Sequence, residues 1–281
     1  MLGLKWVCSA KNAGLIGILT VLAVLVLVKN SHALMRIMVG QEIELKTAGY
    51  EEVQTEHFRI RYTSSDSSYI GLIAATAEEA YAAVCNMFKQ EIARKTVIIV
   101  YPDSPSLASS FGWDKDQKAM GVYWGGTIRI LSPREWLAGT DIKEQFAREG
   151  PMVHEFAHLM VDEITRGNYS RWLTEGIAQY VEKKITGFEF SYPFVDGREL
   201  EYYPFAVMGR DFDNLNQQVV YWESLKAVEY LTAEYGEEAL FLLLENLGKG
   251  YSIAQALGKA LGVSYEDFEQ GFYKELKQNY G

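Results

Sequence analysis

The distribution of apolar and polar residues divides the chain into an apolar amino terminus and a longer folded body. Residues 13–28 are sixteen consecutive residues without a charge, preceded by Lys5 and Lys11. A helix of that length measures about 24 Å, somewhat less than the roughly 30 Å hydrocarbon core of a bilayer. Two interpretations of residues 1–33 stay open: a secretory signal peptide cleaved after Ala33, or an uncleaved membrane anchor. Both predict a body that lies outside the cytoplasm, secreted or anchored to the cell membrane.

Strand patterns dominate the first half of the body. Residues 57–63 alternate between apolar and polar side chains, residues 96–101 are a β-branched run, and residues 121–131 predict a hairpin. A helical spacing of apolar residues predicts a long amphipathic helix over 68–92. Residues 34–55 show neither pattern, and we interpret them as a linker.

From about Asp141 onward the pattern predicts only helices. The predicted helices cover residues 141–166, 171–185, 216–235, 237–248, 252–262 and 264–278. The sequence therefore predicts an α+β fold for residues 56–281. Residues 56–140 form its lobe of sheet and helices, and residues 141–281 form a mostly helical lobe.

Composition then narrows the possible functions. The chain has 27 basic and 37 acidic residues, a net charge of −10, and its first 33 residues contain three lysines and no acid. The acidic body argues against a nucleic-acid partner, because affinity for phosphate needs a basic face. Cys85 is the only cysteine of the body, so no disulfide can form within it.

Two of the four histidines, His154 and His158, have the spacing of a metal site. Residues i and i+4 share one face of a helix, so two imidazoles can bind the same ion, with Glu155 beside it. Zinc in a hydrolytic site takes three protein ligands and keeps one position for water, whose pKa it lowers. A neighbouring carboxylate then takes the proton of that water.

The third ligand must be a carboxylate, because no histidine follows His158. The acidic candidates downstream are Asp162, Glu163, Glu175 and Glu182. Geometry favours Glu175. A turn at Gly167 and a new helix capped by Ser170 bring Glu175 back, antiparallel, to the level of His158.

The segments HEFAH and WLTEGIAQYVE, with sixteen residues between His158 and Glu175, resemble the gluzincin zinc peptidases of the peptidase MA-like superfamily. The second segment is similar to the W-L-x-E-G-x-A block of zinc aminopeptidases. The resemblance implies a zincin-like two-lobed fold with Zn²⁺ as cofactor, held by His154, His158 and Glu175. It implies that Glu155 is the general base, and that the chain hydrolyses peptide or protein substrates by Glu-assisted attack of zinc-bound water. The alternative hypothesis is a non-catalytic extracytoplasmic binding module that keeps a zinc-stabilised gluzincin fold.

The resemblance fails at two places. The aminopeptidase strand G-x-M-E-N is replaced by GVYWG at residues 121–125, so exopeptidase activity is not implied. Gln179 stands where thermolysin-like enzymes carry an aspartate that orients a ligand. Asp162 and Glu182 are the candidates to replace that aspartate, and a solvated helix face is the alternative for both.

The transition state of this chemistry calls for a hydrogen-bond donor near the metal, and a tyrosine is favoured because histidines are scarce. Our candidate is Tyr221, with Tyr203 and Tyr180 as rivals; a packing role is the alternative for each. The hairpin at 121–131 either pairs with an extended substrate or is an ordinary sheet edge. If residues 1–33 are not cleaved, the membrane is a second partner.

Overall fold

The computed structural model describes residues 19–21, 30–191, 193 and 202–280. Most of the apolar run at residues 13–28 lies outside these described residues, so the two interpretations of residues 1–33 stay predictions. Within the described residues, no helix combines the length and the apolar composition needed to cross a membrane.

Five strands and three α-helices lie between Ser31 and Leu131. In order they are α1 (Ser31–Lys46), β1 (Glu51–Gln54), β2 (Phe58–Tyr62), α2 (Ile70–Phe88), β3 (Thr96–Tyr101), α3 (Ser104–Ser110), β4 (Gly121–Trp124) and β5 (Thr127–Leu131). The predicted hairpin is present as β4 and β5, joined at Gly125 and Gly126, whose φ values of 55° and 86° lie in the left-handed region that glycine tolerates.

Eight helices make up the rest of the described chain. They are α4 (Ile142–Glu149), α5 (Met152–Thr165), α6 (Arg171–Thr186), α7 (Phe205–Asp211), α8 (Gln217–Tyr235), α9 (Glu237–Gly248), α10 (Ile253–Leu261) and α11 (Tyr265–Tyr280). The predicted α+β class is confirmed, with a sheet in the first half and helices in the second. The single helix predicted over 141–166 is in fact two, because Pro151 lacks an N–H and Gly150 turns the chain between α4 and α5.

The five strands form one sheet in the order β1-β2-β3-β5-β4. The inner strands β2, β3 and β5 are parallel, while β1 and β4 are antiparallel strands at the two edges. Successive residues of β3 point to opposite faces of the sheet. Ile98 and Val100 are buried in the main core with the long helices. Ile99 and Tyr101 are buried in a smaller core beneath α1. Both faces of β3 are therefore covered, and β4 is left at an edge.

The interpretation of residues 34–55 as a linker is wrong, because α1 and β1 occupy most of this segment. Val39 and Ile43 of α1 are buried in the smaller core against the sheet. The opposite face of α1 is also apolar, so no simple periodicity marks the buried face. The remaining predicted boundaries stay predictions.

The second half is built around α6, which packs between α5 and α8. Gly176 allows the close approach of α6 to α8, since a Cβ at this position would overlap the backbone carbonyl of Ser224. Trp172, Leu173 and Ile177 of α6 are fully buried in the main core. This packing fixes the rotation of α6 about its own axis, and with it the direction of the polar side chains on α6.

A buried carboxyl in this half makes stability depend on pH. Glu223 of α8 has no exposed surface, and it accepts a hydrogen bond from the backbone N–H of Tyr203 at 3.1 Å. Burial raises the pKa of Glu223 to about 7 from its usual 4.5. Between these two values the unfolded chain has lost the proton that the folded chain keeps, so the free energy of unfolding falls as pH rises through this range.

We therefore expect Glu223→Gln to stabilise the protein at pH 8 by about 2–3 kcal/mol more than it does at pH 5, since one pKa unit corresponds to about 1.4 kcal/mol. The amide keeps an acceptor for Tyr203 and removes the buried charge. Urea denaturation at both pH values measures the difference, with the exposed Glu245→Gln as the control. Equal effects of Glu223→Gln at the two pH values would contradict the prediction.

Candidate metal centre

The two histidines of HEFAH lie on α5, one helical turn apart. Their ring centroids are 4.8 Å from each other. The neighbours Val153, Phe156 and Ala157 are buried in the main core, so the apolar side of α5 holds the helix in place while the histidine side faces α6. The fold thus presents both imidazoles to the following helix, as the i and i+4 spacing predicts.

Glu175 of α6 reaches this histidine pair. Its Oε2 lies 3.5 Å from Nε2 of His154 and 3.4 Å from Nε2 of His158. One ligand atom from each of the three residues lies within 4.8 Å of the others. Two imidazole nitrogens and one carboxylate oxygen are the donor set of a hydrolytic zinc site with an open position. The three residues present fit a zinc ion, and the antiparallel arrangement that favoured Glu175 is the one observed.

Each imidazole also has a partner at Nδ1, the ring nitrogen that does not face Glu175. Nδ1 of His154 lies 3.1 Å from Oε2 of Glu182, and Nδ1 of His158 lies 2.7 Å from Oγ1 of Thr174. A partner at Nδ1 directs the lone pair of Nε2 toward the common point of the three ligand atoms. Glu182 was one of the two predicted candidates for this task. Sequence reasoning missed Thr174, although its place directly before Glu175 on α6 could have pointed to it.

We expect Thr174→Val to weaken Zn²⁺ binding by about 10–100-fold, the usual cost of removing such a partner. Valine keeps the shape of the buried side chain but leaves Nδ1 of His158 without its hydrogen bond. Competition with a chromogenic chelator measures the affinity. Thr165→Val is the matched control, because that buried hydroxyl donates to the carbonyl of Val161 on its own helix, α5. Equal affinities of the two variants would show that Thr174 does not orient His158.

The two oxygens of Glu175 have different partners. Oε2 faces the imidazoles, while Oε1 lies 2.9 Å from Nε of Arg171, one turn earlier on α6. This division leaves one oxygen of Glu175 directed at the candidate metal position. Sequence reasoning did not single out Arg171, although its i, i+4 spacing from Glu175 is a usual ion-pair spacing on a helix.

Glu155 lies between the histidine pair and the edge of the sheet. Its side chain is buried, and the backbone of Tyr123 on β4 lies beside its carboxylate. Gly121, also on β4, leaves the room that this arrangement needs, because a Cβ there would lie 2.9 Å from Oε1 of Glu155 and 2.5 Å from Cβ of Pro151. The edge strand β4 therefore forms one wall of the candidate centre.

Burial and charge act in opposite directions on these groups. Burial raises the pKa of Glu155, and the two nearby imidazoles only partly counter this effect. Burial also opposes ionisation of Glu175, but His158, His154 and Arg171 outweigh it and hold the pKa of this carboxyl well below its usual range. For His154, the carboxylates of Glu175 and Glu182 outweigh burial and raise the pKa. Of Glu155 and Glu175, Glu155 therefore has the more basic carboxylate, and Glu175 is the one that stays ionised.

The three candidate tyrosines lie in different places. Burial, and then the charge of Glu175, raise the pKa of Tyr221, and the same side chain interacts with Arg171. Tyr221 therefore lies beside the candidate ligands. By contrast, Tyr180 donates a hydrogen bond to Glu237 at 2.7 Å, and the backbone carbonyl of Tyr203 accepts one from the hydroxyl of Tyr273. The structure thus brings Tyr221 next to the site and directs the hydroxyl of Tyr180 toward Glu237 instead.

Asp162, the other predicted orienting residue, has different partners. Its carboxylate lies 2.9 Å from Nε2 of His32 and 3.2 Å from Nη1 of Arg36, both on α1, and it accepts a hydrogen bond of 2.6 Å from the hydroxyl of Tyr123. It therefore joins α1 and β4 to the carboxyl-terminal half of α5, and the orienting contact with His154 is made by Glu182.

Comparison with known proteins bears on the same residues. A model of the Peptidase MA superfamily matches residues 139–278, which contain both HEFAH and WLTEGIAQYVE. Through these residues the chain belongs to the Peptidase MA superfamily. The resemblance drawn from the two segments is thus confirmed at the level of the superfamily.

Two individual proteins are similar to this member of the Peptidase MA superfamily. The uncharacterized protein YhcO of Bacillus subtilis (strain 168) is 22% identical over 299 residues, which cover 96% of this chain and 87% of that protein. A solved structure of a two-domain M1 zinc metallopeptidase bound to L-arginine matches with a TM-score of 0.37 and 12% identity. That alignment covers 79% of this chain and 49% of the other, so the chain spans about half the length of that protein.

Proposed function

We propose that the chain is a zinc-dependent peptidase of the gluzincin type. The observation that carries this proposal is the convergence of His154, His158 and Glu175 beside the buried carboxylate of Glu155. A purely structural zinc site is usually closed by four ligands and has no need of a base at its side. The donor set and the extra glutamate therefore favour hydrolysis over a structural role.

In this mechanism the chain's own residues bind the substrate and move the protons. Zinc held by the three ligands supplies polarisation of the substrate carbonyl and acidification of water. Glu155 takes the proton of the attacking water, and its raised pKa brings its basicity closer to neutral pH. The same carboxyl then gives the proton to the leaving amine. The contacts of its side chain with β4, at Gly121 and the backbone of Tyr123, hold Glu155 in position for both transfers.

The edge strand β4 is our candidate for binding the peptide backbone of the substrate. Only one side of β4 pairs with a neighbouring strand of the described sheet, namely β5. An extended peptide adds to such an edge through main-chain hydrogen bonds. Because Gly121 and Tyr123 of β4 border Glu155, a peptide paired there would pass directly beside the base.

Tyr221 is our candidate for stabilising the oxyanion of the transition state. We expect Tyr221→Phe to lower kcat by about 10²-fold, the cost of losing one such donor, with zinc content unchanged. Tyr180→Phe is the control, because that hydroxyl bonds to Glu237 instead. If Tyr221→Phe and Tyr180→Phe give the same kcat, Tyr221 does not have this role.

We further propose that the peptidase is exported and stays tethered to the membrane by its apolar amino terminus. A contact on α1 supports the uncleaved anchor over the signal peptide. His32 lies against the buried carboxylate of Asp162, and cleavage after Ala33 would remove this partner from the folded body. Protease protection of the full chain in membrane vesicles tests the topology. A mature chain that begins at Leu34 would overturn the tether.

The test of the peptidase itself uses the full chain. We expect one zinc per chain by mass spectrometry of the metal content, together with cleavage of members of a diverse peptide library. A chain without zinc would overturn the site. Bound zinc with no cleavage of any peptide would favour the alternative, a non-catalytic module stabilised by zinc.

A further inference from the structure

Helix α1 carries apolar side chains on two opposite faces. One face, with Val39 and Ile43, is buried against the sheet. The outer face carries Leu34, Ile37, Met38 and Leu45, with exposed fractions of 40%, 57%, 69% and 80%, and the exposed polar side chain of Gln41 lies among them. At 3.6 residues per turn these four side chains fall within an arc of about 100°, the width of the apolar stripe with which a helix normally packs.

This outer face is a concentration of exposed apolar surface. Thirteen large apolar side chains are exposed in the described part of the chain, and four of them lie on this one helix of sixteen residues. Single exposed apolar residues are ordinary, but four of them on one face of a helix mark a surface that meets an apolar partner.

The sequence that precedes α1 indicates which partner this is. The sixteen-residue apolar run ends at Val28, and α1 begins only three residues later, at Ser31. A connection of that length spans about 10 Å at most. If the apolar run is inserted in a bilayer, α1 starts within the headgroup layer of the same membrane, where its outer face can be covered by lipid.

We propose that the outer face of α1 lies in the interfacial layer of the lipid bilayer, so that α1 runs along the membrane surface directly after the anchor. The proposal rests on the tethering part of the proposed function and is independent of peptidase activity. An interfacial helix buries its apolar side to about the boundary between headgroups and acyl chains. The acidic body, with Glu42 and Glu44 exposed on α1, favours neutral over anionic lipids.

The contact has a structural consequence for the rest of the protein. The buried side of α1 packs on the sheet, and His32 and Arg36 bind Asp162, which lies one turn beyond His158 on α5. A helix that lies flat on the membrane therefore fixes the orientation of the sheet and of α5 relative to the bilayer.

The experiment reconstitutes the full chain into phosphatidylcholine vesicles. A fluorescent label is placed at Met38→Cys or Leu45→Cys in a chain that also carries Cys8→Ser and Cys85→Ala. Leu242→Cys is the matched control, because Leu242 is also a large apolar residue with 46% exposure but lies on α9. Replacing part of the lipid with a lipid that carries a nitroxide in its headgroup region should quench most of the emission from positions 38 and 45. Emission from position 242 should be unchanged.

Each outcome decides a different question. If the chain floats with the vesicles and the labels at 38 and 45 are not quenched, the proposal for α1 is wrong, while the tether and the peptidase stand. The same result is expected if residues 13–28 cover the outer face of α1, and it would equally contradict the proposal. A chain that does not float overturns both the tether and this proposal. A disulfide that forms between two Met38→Cys chains in detergent assigns the outer face to a second copy and equally overturns it.

Discussion

Glu155→Gln should retain its zinc and lose about 10²–10⁴-fold in kcat, the usual contribution of general acid–base catalysis. Glutamine keeps the size of the side chain and an oxygen that can face the backbone of Tyr123. It cannot take a proton from water at neutral pH. Since Glu155 is not among the three converging ligands, metal content should not change. Steady-state kinetics on the best library peptide, with the zinc content measured on the same sample, checks both parts.

The exposed Glu245→Gln controls for the loss of one negative charge. Wild-type turnover by Glu155→Gln would show that this carboxyl is not the base. Simultaneous loss of zinc and activity would indicate instead that Glu155 helps to bind the metal.

Glu175→Gln should lose the zinc itself, with affinity lower by more than about 100-fold, because removing even an orienting partner of a ligand costs 10–100-fold. Glu175 is the only anionic member of the converging set, and burial leaves little water to replace its oxygen. The amide is a neutral and weaker donor. Activity should disappear at ordinary zinc concentrations, since every proposed step requires the metal.

Zinc titration separates these two variants. Added zinc should restore part of the activity of Glu175→Gln, because its base is intact. It should restore none of the activity of Glu155→Gln, whose metal is already bound. If Glu175→Gln binds zinc as tightly as the wild type, the third ligand is a different residue.

The parts of the site that follow local geometry could be predicted from the sequence. The i, i+4 spacing of His154 and His158 fixes their common face as soon as the segment is helical. A turn near Gly167 followed by a helix leaves few positions at which an acidic residue can meet that face, and Glu175 is one of them. The alternating and β-branched runs likewise predicted β2 and β3, because each strand carries its own pattern.

What the sequence could not supply depends on contacts between distant segments. Glu182 meets His154 and Thr174 meets His158 because of the rotation of α6 about its axis, which is set by its packing against α5 and α8. The approach of β4 to Glu155 depends on the order of the strands. Tyr180 is not placed to stabilise an oxyanion, because its hydroxyl donates a hydrogen bond to Glu237 on α9.

Helix α1 was missed for a different reason. Its apolar residues lie on two opposite faces, one toward the sheet and one exposed, so the single apolar stripe that signals a surface helix is absent. The exposed apolar face that obscures this stripe is the surface for which we propose a contact with lipid.

The contact between His32 and Asp162 also constrains the order of events during synthesis. The two residues are 130 positions apart in the chain. At about 5–20 residues per second, His32 is made roughly 7–26 s before its partner exists. The apolar inner side of α1 likewise has no core to enter until β3 and β5, which end at Tyr101 and Leu131, have been made. The first helix of the body to be synthesised thus cannot dock until the strands beneath it exist, and an early bilayer contact would protect it from aggregation while it waits.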